Sequence, residues 1–243
     1  MTAPRTFATT RWTLIVDAAN AGSPMQDAAL AALCETYWRP VYAFIRRSGR
    51  DPEDARDLTQ MFFVRVLEKG FFTEADRSRG RFRSFLFASV RHFLANQHDW
   101  ATAQKRGGGA PTLSLEFDDG ERHYTLEPAD PTTPERTYEH SWAMSVLDAA
   151  MARVQARYAD GGRADLFARL KPYLTGDEPA SYADLARDGG GTPGQLRVAV
   201  HRLRRDYGRA LRDVIADTVA TPGEVDDELR YLLDVVGTGN GAR

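Results

Sequence analysis

The densest positive charge in the sequence lies at residues 197–212, where six arginines stand against one acidic residue, Asp206. Arg197, His201 and the pair Arg204-Arg205 recur at spacings that bring them to one face of a helix. Arginine neutralises phosphates and can donate two parallel hydrogen bonds to a guanine edge. This pattern indicates binding to duplex nucleic acid, and a solvated helix face is the simpler alternative.

A second basic cluster covers residues 77–106, with seven lysines and arginines against one acid, Asp99. Aromatic residues are interleaved with these charges: Phe82, Phe85, Phe87, Phe93 and Trp100. Unstacked bases lie on aromatic rings while their backbone follows positive charge, so this composition suits single-stranded nucleic acid. Packing in a helical core is the competing explanation, because three of the rings also recur at helical spacing.

The histidines and carboxylates do not form a catalytic pattern. His98-Asp99, with His92 six residues earlier, is similar to the pair in metal phosphohydrolases, but the other histidines lie in unrelated contexts and supply no further ligands. The sequence has no phosphate-binding glycine loop and no nucleophile elbow. We therefore expect no enzymatic activity, no bound metal and no cofactor.

The elements that carry these clusters are predicted to be helices. Three helix starts are marked by a polar capping residue followed by proline: Ser23-Pro24, Asp51-Pro52 and Thr192-Pro193. Gln195 completes a capping box with Thr192. The stretch from Ser181 through the glycines at 189–191 to Arg212 has the order of a helix-turn-helix, whose second helix enters the DNA major groove. No segment has a convincing period of two, so the expected fold class is all-α.

Apolar residues at helical spacing predict the buried faces of these helices. In the N-terminal part they are Leu58, Phe62 and Val66, and then Phe82, Leu86, Phe93 and Trp100. In the C-terminal part they are Leu147, Met151, Val154 and Tyr158, then Leu166, Phe167, Leu170 and Leu174, and finally Leu196, Val200, Leu203, Tyr207 and Leu211.

The composition excludes several classes of protein. A length of 243 residues with 42% hydrophobic residues suits one large or two small domains with buried cores. The single cysteine, Cys34, excludes a disulfide framework and a cysteine zinc site. No apolar run approaches the ~18 residues that span a bilayer, and the N-terminus lacks a signal-peptide core. We expect a cytoplasmic protein with no membrane insertion.

The net charge of −2 is a cancellation between blocks of opposite sign. Residues 1–106 and 141–213 carry +5 and +3, whereas residues 107–140 and 214–243 carry −6 and −4. The positive blocks contain the two basic clusters, and the local field matters more for binding than the total. The block at 107–140 holds three consecutive glycines, four prolines and little helical periodicity. It is predicted to be a flexible acidic linker between two domains.

Two stretches of the chain resemble regions of bacterial RNA polymerase sigma factors. The first stretch resembles region 2 and reads Asp51-Pro52-Glu53-Asp54-Ala55-Arg56-Asp57-Leu58-Thr59-Gln60, followed by Phe62 and Phe63. The segment from Gly80 to Arg106 is similar to the promoter-melting segment of that region. The second stretch resembles region 4 and consists of Ser181-Tyr182-Ala183-Asp184-Leu185-Ala186 and the arginine-rich helix after it. Both regions in this order, with a linker between them, are the layout of the extracytoplasmic-function group.

The resemblance implies two small helical domains, a region 2 bundle and a region 4 helix-turn-helix, joined by the flexible acidic linker. The expected organisation is an N-terminal segment at 1–24, region 2 at 25–106, the linker at 107–140, region 4 at 141–213 and an acidic C-terminal extension at 214–243. Glu224 to Val236 is predicted to form a helix in this extension. We hypothesise that the extension folds back on the basic face of region 4 or binds a regulator.

The resemblance also implies a function, namely binding of core RNA polymerase and promoter-specific initiation, including promoter melting. The region 2 helix of sigma factors docks on the clamp coiled coil of the largest catalytic subunit, and the matching residues are Asp54, Asp57, Leu58, Gln60 and Arg65. The expected contacts to the melted minus-ten element are Arg79, Arg81, Phe82, Ser84, Arg91, His92 and Asn96. Those to the duplex minus-thirty-five element are Thr192, Gln195, Arg197, Val198, His201, Arg202, Arg204 and Arg205. The implied partners are core RNA polymerase and promoter DNA. A third implied partner is a regulator, such as an anti-sigma factor.

Two other classes of function stay open at this point. A stand-alone DNA-binding regulator would use only the helix-turn-helix, and a helical adaptor would bind another protein through acidic surfaces. The region 2 helix discriminates between them, because a regulator has no need of Asp54, Asp57 and Gln60 to contact polymerase.

Overall fold

The computed structural model describes residues 24–67, 81–96, 117–126, 133–175, 181–189 and 191–240. Within these ranges every regular element is a helix, as the hydrophobic periodicity predicted. None of the helices found there is both long and apolar enough to cross a lipid bilayer. The chain divides into two compact units: unit 1 consists of Met1–Ser145 and Ile215–Arg243, and unit 2 consists of Val146–Val214.

Three helix starts, at Pro24, Pro52 and Pro193, lie where the capping signals predicted, among the ten helices of the described ranges. In chain order they are α1 (Pro24–Arg47), α2 (Pro52–Leu67), α3 (Phe82–Ala95), α4 (Phe117–Leu126), α5 (Pro134–Asp160), α6 (Ala164–Leu170), α7 (Pro172–Thr175), α8 (Tyr182–Gly189), α9 (Pro193–Ala216) and α10 (Pro222–Asn240). Unit 1 takes α1–α4, α10 and the start of α5, and unit 2 takes α6–α8, the rest of α5 and nearly all of α9.

The core of unit 1 is built from aromatic residues on several helices. The rings of Tyr37 and Phe82 meet edge to face, with centroids 4.8 Å apart. The indole Nε1 of Trp142 donates a hydrogen bond of 3.2 Å to the Tyr37 hydroxyl. All members of the predicted stripes that the structure describes in this unit are buried: Leu58, Phe62, Val66, Phe82, Leu86 and Phe93. Trp100, the remaining member, lies outside the described residues.

The segment predicted to be a flexible linker contains helical structure. Residues 117–126 form α4, and α5 begins at Pro134, so the prediction is wrong for these parts of 107–140. The ring of Phe117 lies 5.4 Å from that of Trp38. A Cβ built on Gly120 would lie 2.6 Å from the Trp38 ring. Phe117 of α4 is buried in this contact and Gly120 allows the close approach, so α4 is held by packing against α1.

Polar contacts complete the attachment of α4 to α1. The carboxylate of Glu121 accepts hydrogen bonds from the Tyr42 hydroxyl at 2.6 Å and from Arg46 Nη2 and Nε at 2.8 and 2.9 Å. The hydrogen bonds from Arg46 hold the pKa of Glu121 below its usual value. Burial, together with this carboxylate, raises the pKa of Tyr42 to about 12. An acidic residue of the expected linker is thus paired with a basic residue of α1.

The C-terminal extension forms a helix, as predicted, but it packs within unit 1. Val225 and Leu232 of α10 are buried. The Phe82 backbone N–H donates a hydrogen bond of 3.1 Å to the Thr218 carbonyl, which ties the start of α3 to the segment before α10. The hypothesis that the extension binds the basic face of region 4 or a regulator stays a prediction, and it concerns only the exposed side of α10. The buried face of α10 completes the core that α1, α2 and α3 begin.

The core of unit 2 follows the predicted stripes closely. Val154, Phe167, Leu170, Leu196, Val200, Leu203 and Leu211 are buried, and Tyr158 packs its ring 5.7 Å from that of Phe167. The other predicted members are partly exposed: Leu147, Met151, Leu166, Leu174 and Tyr207. Because burial falls on one side of α9, the opposite side of that helix is left to solvent.

Candidate functional site

The first candidate surface is the acidic face of α2. Asp51 caps this helix, because its Oδ1 accepts a hydrogen bond of 2.9 Å from the Asp54 N–H. Asp54, Asp57 and Gln60 are exposed, and their spacing of three residues keeps them on one side of the helix. Carboxylates in the first turn also suit the positive end of the helix dipole. The arrangement presents a negative, solvent-facing surface on a helix that is anchored in the core.

Two members of the predicted polymerase-binding set do not belong to that exposed face. Leu58 is 3% exposed, so its side chain belongs to the core and is not available as an apolar anchor for a partner. This corrects the role expected from the resemblance. Arg65 is partly exposed near the end of α2.

The second candidate surface is the solvent side of α3. Ser84, Arg91 and His92 are exposed, and Asn96 is partly exposed just after the helix. The Asn96 side-chain amide donates a hydrogen bond of 3.1 Å to the His92 carbonyl, which satisfies one of the open acceptors at the helix end. The guanidinium of Arg91 lies 5.7 Å from the centroid of the Phe87 ring. Arg79, predicted for the same surface, lies outside the described residues.

Phe82 is not part of this surface, in contrast to the prediction. Its side chain is fully buried against Tyr37, so it cannot stack on an unpaired base while the core is intact. The competing explanation for the aromatic residues of the second basic cluster, packing in a helical core, is therefore the correct one at this position.

Arg81 and Arg83 converge on one buried carboxylate of α10, an arrangement that the sequence did not reveal. Glu228 is 1% exposed, and its oxygens lie 2.9 Å from Arg83 Nε and 3.0 Å from Arg81 Nη1. The Arg83 guanidinium also lies 4.6 Å from the Trp142 ring centroid and 4.2 Å from that of Tyr231. The available signal was helical spacing, since Arg83 precedes the buried Leu86 by three residues.

This cluster changes what Arg81 can do. Its side chain keeps 28% exposure, and a second acid of α10, Asp227, lies 3.9 Å from its Nη2. The guanidinium predicted to contact the melted minus-ten element is thus already paired with protein carboxylates. The main role of Arg81 is therefore to join α3 to α10. The predicted minus-ten contacts that remain on the solvent side of α3 are Ser84, Arg91, His92 and Asn96.

The third candidate surface is built on α8, the glycine turn and α9. Ser181 caps α8, because its Oγ accepts a hydrogen bond of 3.2 Å from the Asp184 N–H. Gly191 has a φ of +93°, a left-handed conformation that favours glycine. The predicted capping box of α9 is confirmed: Thr192 N–H donates to Gln195 Oε1 at 2.9 Å, and Gln195 N–H donates to Thr192 Oγ1 at 3.3 Å. These two side chains therefore already serve the helix start.

The side of α9 away from the core carries most of the residues predicted to contact the minus-thirty-five element. Those exposed there are Arg197, Val198, His201, Arg202, Arg204 and Arg205, and Thr192 and Gln195 are exposed at the helix start. All six arginines of residues 197–212 are exposed, and Arg209 pairs with Asp206. Val198 is 52% exposed, which is unusual for a large apolar residue. The surface is strongly positive and has an apolar residue near its N-terminal end.

Two arginines of α9 have defined partners on the neighbouring short helices. Arg204 Nη2 donates a hydrogen bond of 3.1 Å to the Tyr173 carbonyl of α7. The Arg197 guanidinium lies 5.6 Å from the ring centroid of Tyr182, the first residue of α8. On the other flank of α9, a cleft of about 380 Å³ is lined by Tyr158, Arg163, Leu166, Gly194, Gln195, Val198, Ala199 and Arg202.

The described part of the chain offers no metal centre, since no three histidine, cysteine, aspartate or glutamate side chains come together there. Burial raises the pKa of the Cys34 thiol to about 12. The thiolate is the nucleophilic form of cysteine, so this side chain acts as a core residue.

The chain matches no protein-family model, no curated protein and no solved structure.

Proposed function

We propose that this protein is a sigma factor of bacterial RNA polymerase, of the extracytoplasmic-function type. It binds the core enzyme, recognises a promoter in two parts and assists in opening the minus-ten part. Its location is the cytoplasm, where polymerase and template are found. The polymerase performs the chemistry, and this chain catalyses no reaction of its own.

The observation that carries the proposal is the exposed arginine face of α9. A capped helix follows a glycine turn and a short helix, the order in which a helix-turn-helix delivers its second helix to the major groove. All six arginines point away from the core, where they can neutralise phosphates and donate to guanine edges. Arg197, Val198, His201 and Arg202 are the proposed base readers, and Arg205 is a proposed phosphate contact. Arg204 is also a proposed phosphate contact, through the guanidinium N–H groups that do not donate to the Tyr173 carbonyl.

The acidic face of α2 supports the sigma-factor proposal over a stand-alone DNA-binding regulator. A regulator needs no exposed acidic face on a helix outside its DNA-binding element, whereas Asp54, Asp57 and Gln60 form such a face in unit 1. Oppositely charged surfaces steer partners together and set their register. The proposed partner of this face is the basic coiled coil of the polymerase clamp.

The exposed polar side of α3 supports the melting step. Ser84, Arg91, His92 and Asn96 supply donors and acceptors that can reach the edges of unpaired bases and the backbone between them. Unstacking a base requires a few kcal/mol, and contacts with the separated strand offset this energy. The proposed role of α3 is to hold the non-template strand once the duplex has opened.

Run-off transcription tests the proposal directly. Core RNA polymerase is assayed on a promoter library with and without the purified full-length chain. We expect sequence-selective transcripts only when the chain is present. Binding of the chain to DNA with no effect on transcription and no binding to core enzyme would instead identify a stand-alone regulator, whereas binding to neither would support an adaptor.

A matched pair of variants tests the polymerase contact. Asp54→Ala/Asp57→Ala is expected to lower the affinity for core polymerase at least ten-fold, because both carboxylates are exposed and two charge contacts are lost. Glu53→Ala, which removes an exposed acid from the same helix turn but not from the proposed contact, is the control. Thermal unfolding should be nearly unchanged in both. Equal affinity of the double variant and the control would contradict the proposed contact.

A further inference from the structure

Tyr182 connects the three helices around the glycine turn of unit 2. Its ring stacks on that of Tyr173, with centroids 5.1 Å apart and an angle of 11° between the planes. The Arg197 guanidinium carbon lies 5.6 Å from the centroid of the same Tyr182 ring. Tyr173 and Tyr182 are partly exposed, and Arg197 is exposed. A ring pair thus lies beside one proposed base reader.

The two helices that carry the rings, α7 and α8, are held in place by hydrogen bonds to their backbone carbonyls. The backbone carbonyl of Tyr173 accepts a hydrogen bond of 3.1 Å from Arg204 on α9. The carbonyl of Leu185 on α8 accepts one of 2.9 Å from Arg169 on α6. Because Arg204 follows Arg197 by seven residues, or two helical turns, both arginines meet α7 and α8 from the same side of α9. The Tyr182 ring is therefore part of a linked assembly and not an isolated side chain.

A free arginine samples many rotamers, and a bidentate contact to guanine requires one of them. A cation held over an aromatic face gives up that freedom before DNA binds, so less is lost when the hydrogen bonds form. We propose that Tyr182, supported by Tyr173, is a positioning residue for Arg197 and thereby sets sequence discrimination at one base pair of the minus-thirty-five element. This inference rests on the proposed function of α9 as the recognition helix.

The test uses holoenzyme formed with the full-length chain and a promoter that the library selects. Each base pair of the minus-thirty-five element is replaced in turn, and the dissociation constant is measured for every duplex. Tyr182→Leu removes the ring, whereas Tyr182→Phe keeps it. Arg197→Ala identifies the base pair that Arg197 reads. We expect Tyr182→Leu to lower discrimination at that base pair by about two- to five-fold, the range of an exposed cation–π contact. Discrimination elsewhere, and in Tyr182→Phe, should be unchanged.

A double-mutant cycle separates positioning from general structural support. In an Arg197→Ala background, Tyr182→Leu should cause no further loss at that base pair. In an Arg205→Ala background, where the arginine lies on another part of the face, the full effect of Tyr182→Leu should remain. A loss that is equal for all base pairs, or one that persists without Arg197, would overturn the inference.

A second measurement does not depend on the stability of the variants. In the free wild-type chain, we expect the Arg197 Nε–Hε resonance to be shifted by the tyrosine ring current, and Tyr182→Phe should keep this shift. A random-coil resonance for Arg197 in the wild type would overturn the inference. If the wild-type chain supports no promoter-specific transcription, the proposed function fails. If transcription is specific but Tyr182 and Arg197 are uncoupled, only the positioning role fails.

Discussion

Replacement of Glu228 by glutamine is expected to destabilise unit 1 strongly. The Glu228 carboxylate is buried and accepts hydrogen bonds from Arg83 Nε at 2.9 Å and Nη2 at 3.4 Å, and Arg81 Nη1 lies 3.0 Å away. Glutamine keeps one acceptor oxygen but presents an N–H₂ group to guanidinium donors, and it leaves the charge of Arg83 without its buried partner. Breaking a buried pair from one side typically costs about 3–5 kcal/mol, and we expect about 3 kcal/mol here.

Tryptophan fluorescence during urea unfolding measures this effect in the correct unit. Both described tryptophans, Trp38 and Trp142, are buried in unit 1, so their signal reports on the unfolding of that unit. A loss of about 3 kcal/mol is a large part of the 5–15 kcal/mol that stabilise a typical domain, so the unfolding midpoint should fall clearly. Asp234→Asn, which removes an exposed acid from the same α10, is the control and should change stability by less than about 0.5 kcal/mol.

A double variant distinguishes an unpaired charge from lost packing. Arg83→Met/Glu228→Met removes both partners, and such replacements are often neutral or stabilising relative to the intact pair. We expect it to be more stable than Glu228→Gln. The reasoning is refuted if Glu228→Gln unfolds at the same urea concentration as Asp234→Asn, or if the double variant is no more stable than the single one.

Three further predictions concern the glycines and the acid that shape the two units. Gly120→Ala should lower the stability of unit 1 by about 1–3 kcal/mol, because its Cβ would lie 2.6 Å from the Trp38 ring. Gly237→Ala, with nothing within 4 Å, should be neutral or stabilising by up to about 1 kcal/mol, and equal fluorescence-detected midpoints for the two variants would contradict the packing of α4. The folded-state pKa of Glu121 is lowered, so its stabilising effect is present above the unfolded pKa of about 4.3 and is lost as the pH falls through the folded value. Urea titrations across that acid range should show a shallower pH dependence for Glu121→Gln, and an unchanged slope would argue against the Arg46 pairing. Gly191→Ala should destabilise unit 2 by about 1–2 kcal/mol because of its φ of +93°, measurable by far-ultraviolet circular dichroism; wild-type stability would show that the turn needs no left-handed residue.

Much of the secondary structure and of the α9 surface could be predicted from the sequence. The starts of α2 and α9 follow from proline preceded by a capping residue, and the capping box of Thr192 and Gln195 has the predicted reciprocal hydrogen bonds. The apolar stripe of α9 predicted its buried side and therefore its exposed arginine face. These features depend on residues within one or two helical turns of each other, so local spacing contains the information.

The burial of the aromatic residues of α3 and the pairing of the acidic segments could not be predicted from residue spacing. Phe82 suited both a core position and a stacking position, and its burial depends on Tyr37, a residue of another helix. The glycines, prolines and weak periodicity of the acidic block at 107–140 predict a linker, yet the block contains α4, and Glu121 of that helix is paired with Arg46, 75 residues earlier. A charge pair across such a distance leaves no periodic signature in either segment.

The sequence by itself determined an all-α chain, the starts of α1, α2 and α9, the sides of α2 and α9 that meet solvent, and the alternation of positive and negative blocks behind the net charge. Only the tertiary structure decided that α4 and α10 complete the core of unit 1, that Glu228 binds Arg81 and Arg83, and that Tyr182 lies beside Arg197. The physical reason is the range of the interactions. Capping and amphipathic spacing act between neighbours along the chain, whereas ion pairs and ring contacts depend on which helices are brought together by burial of their apolar faces.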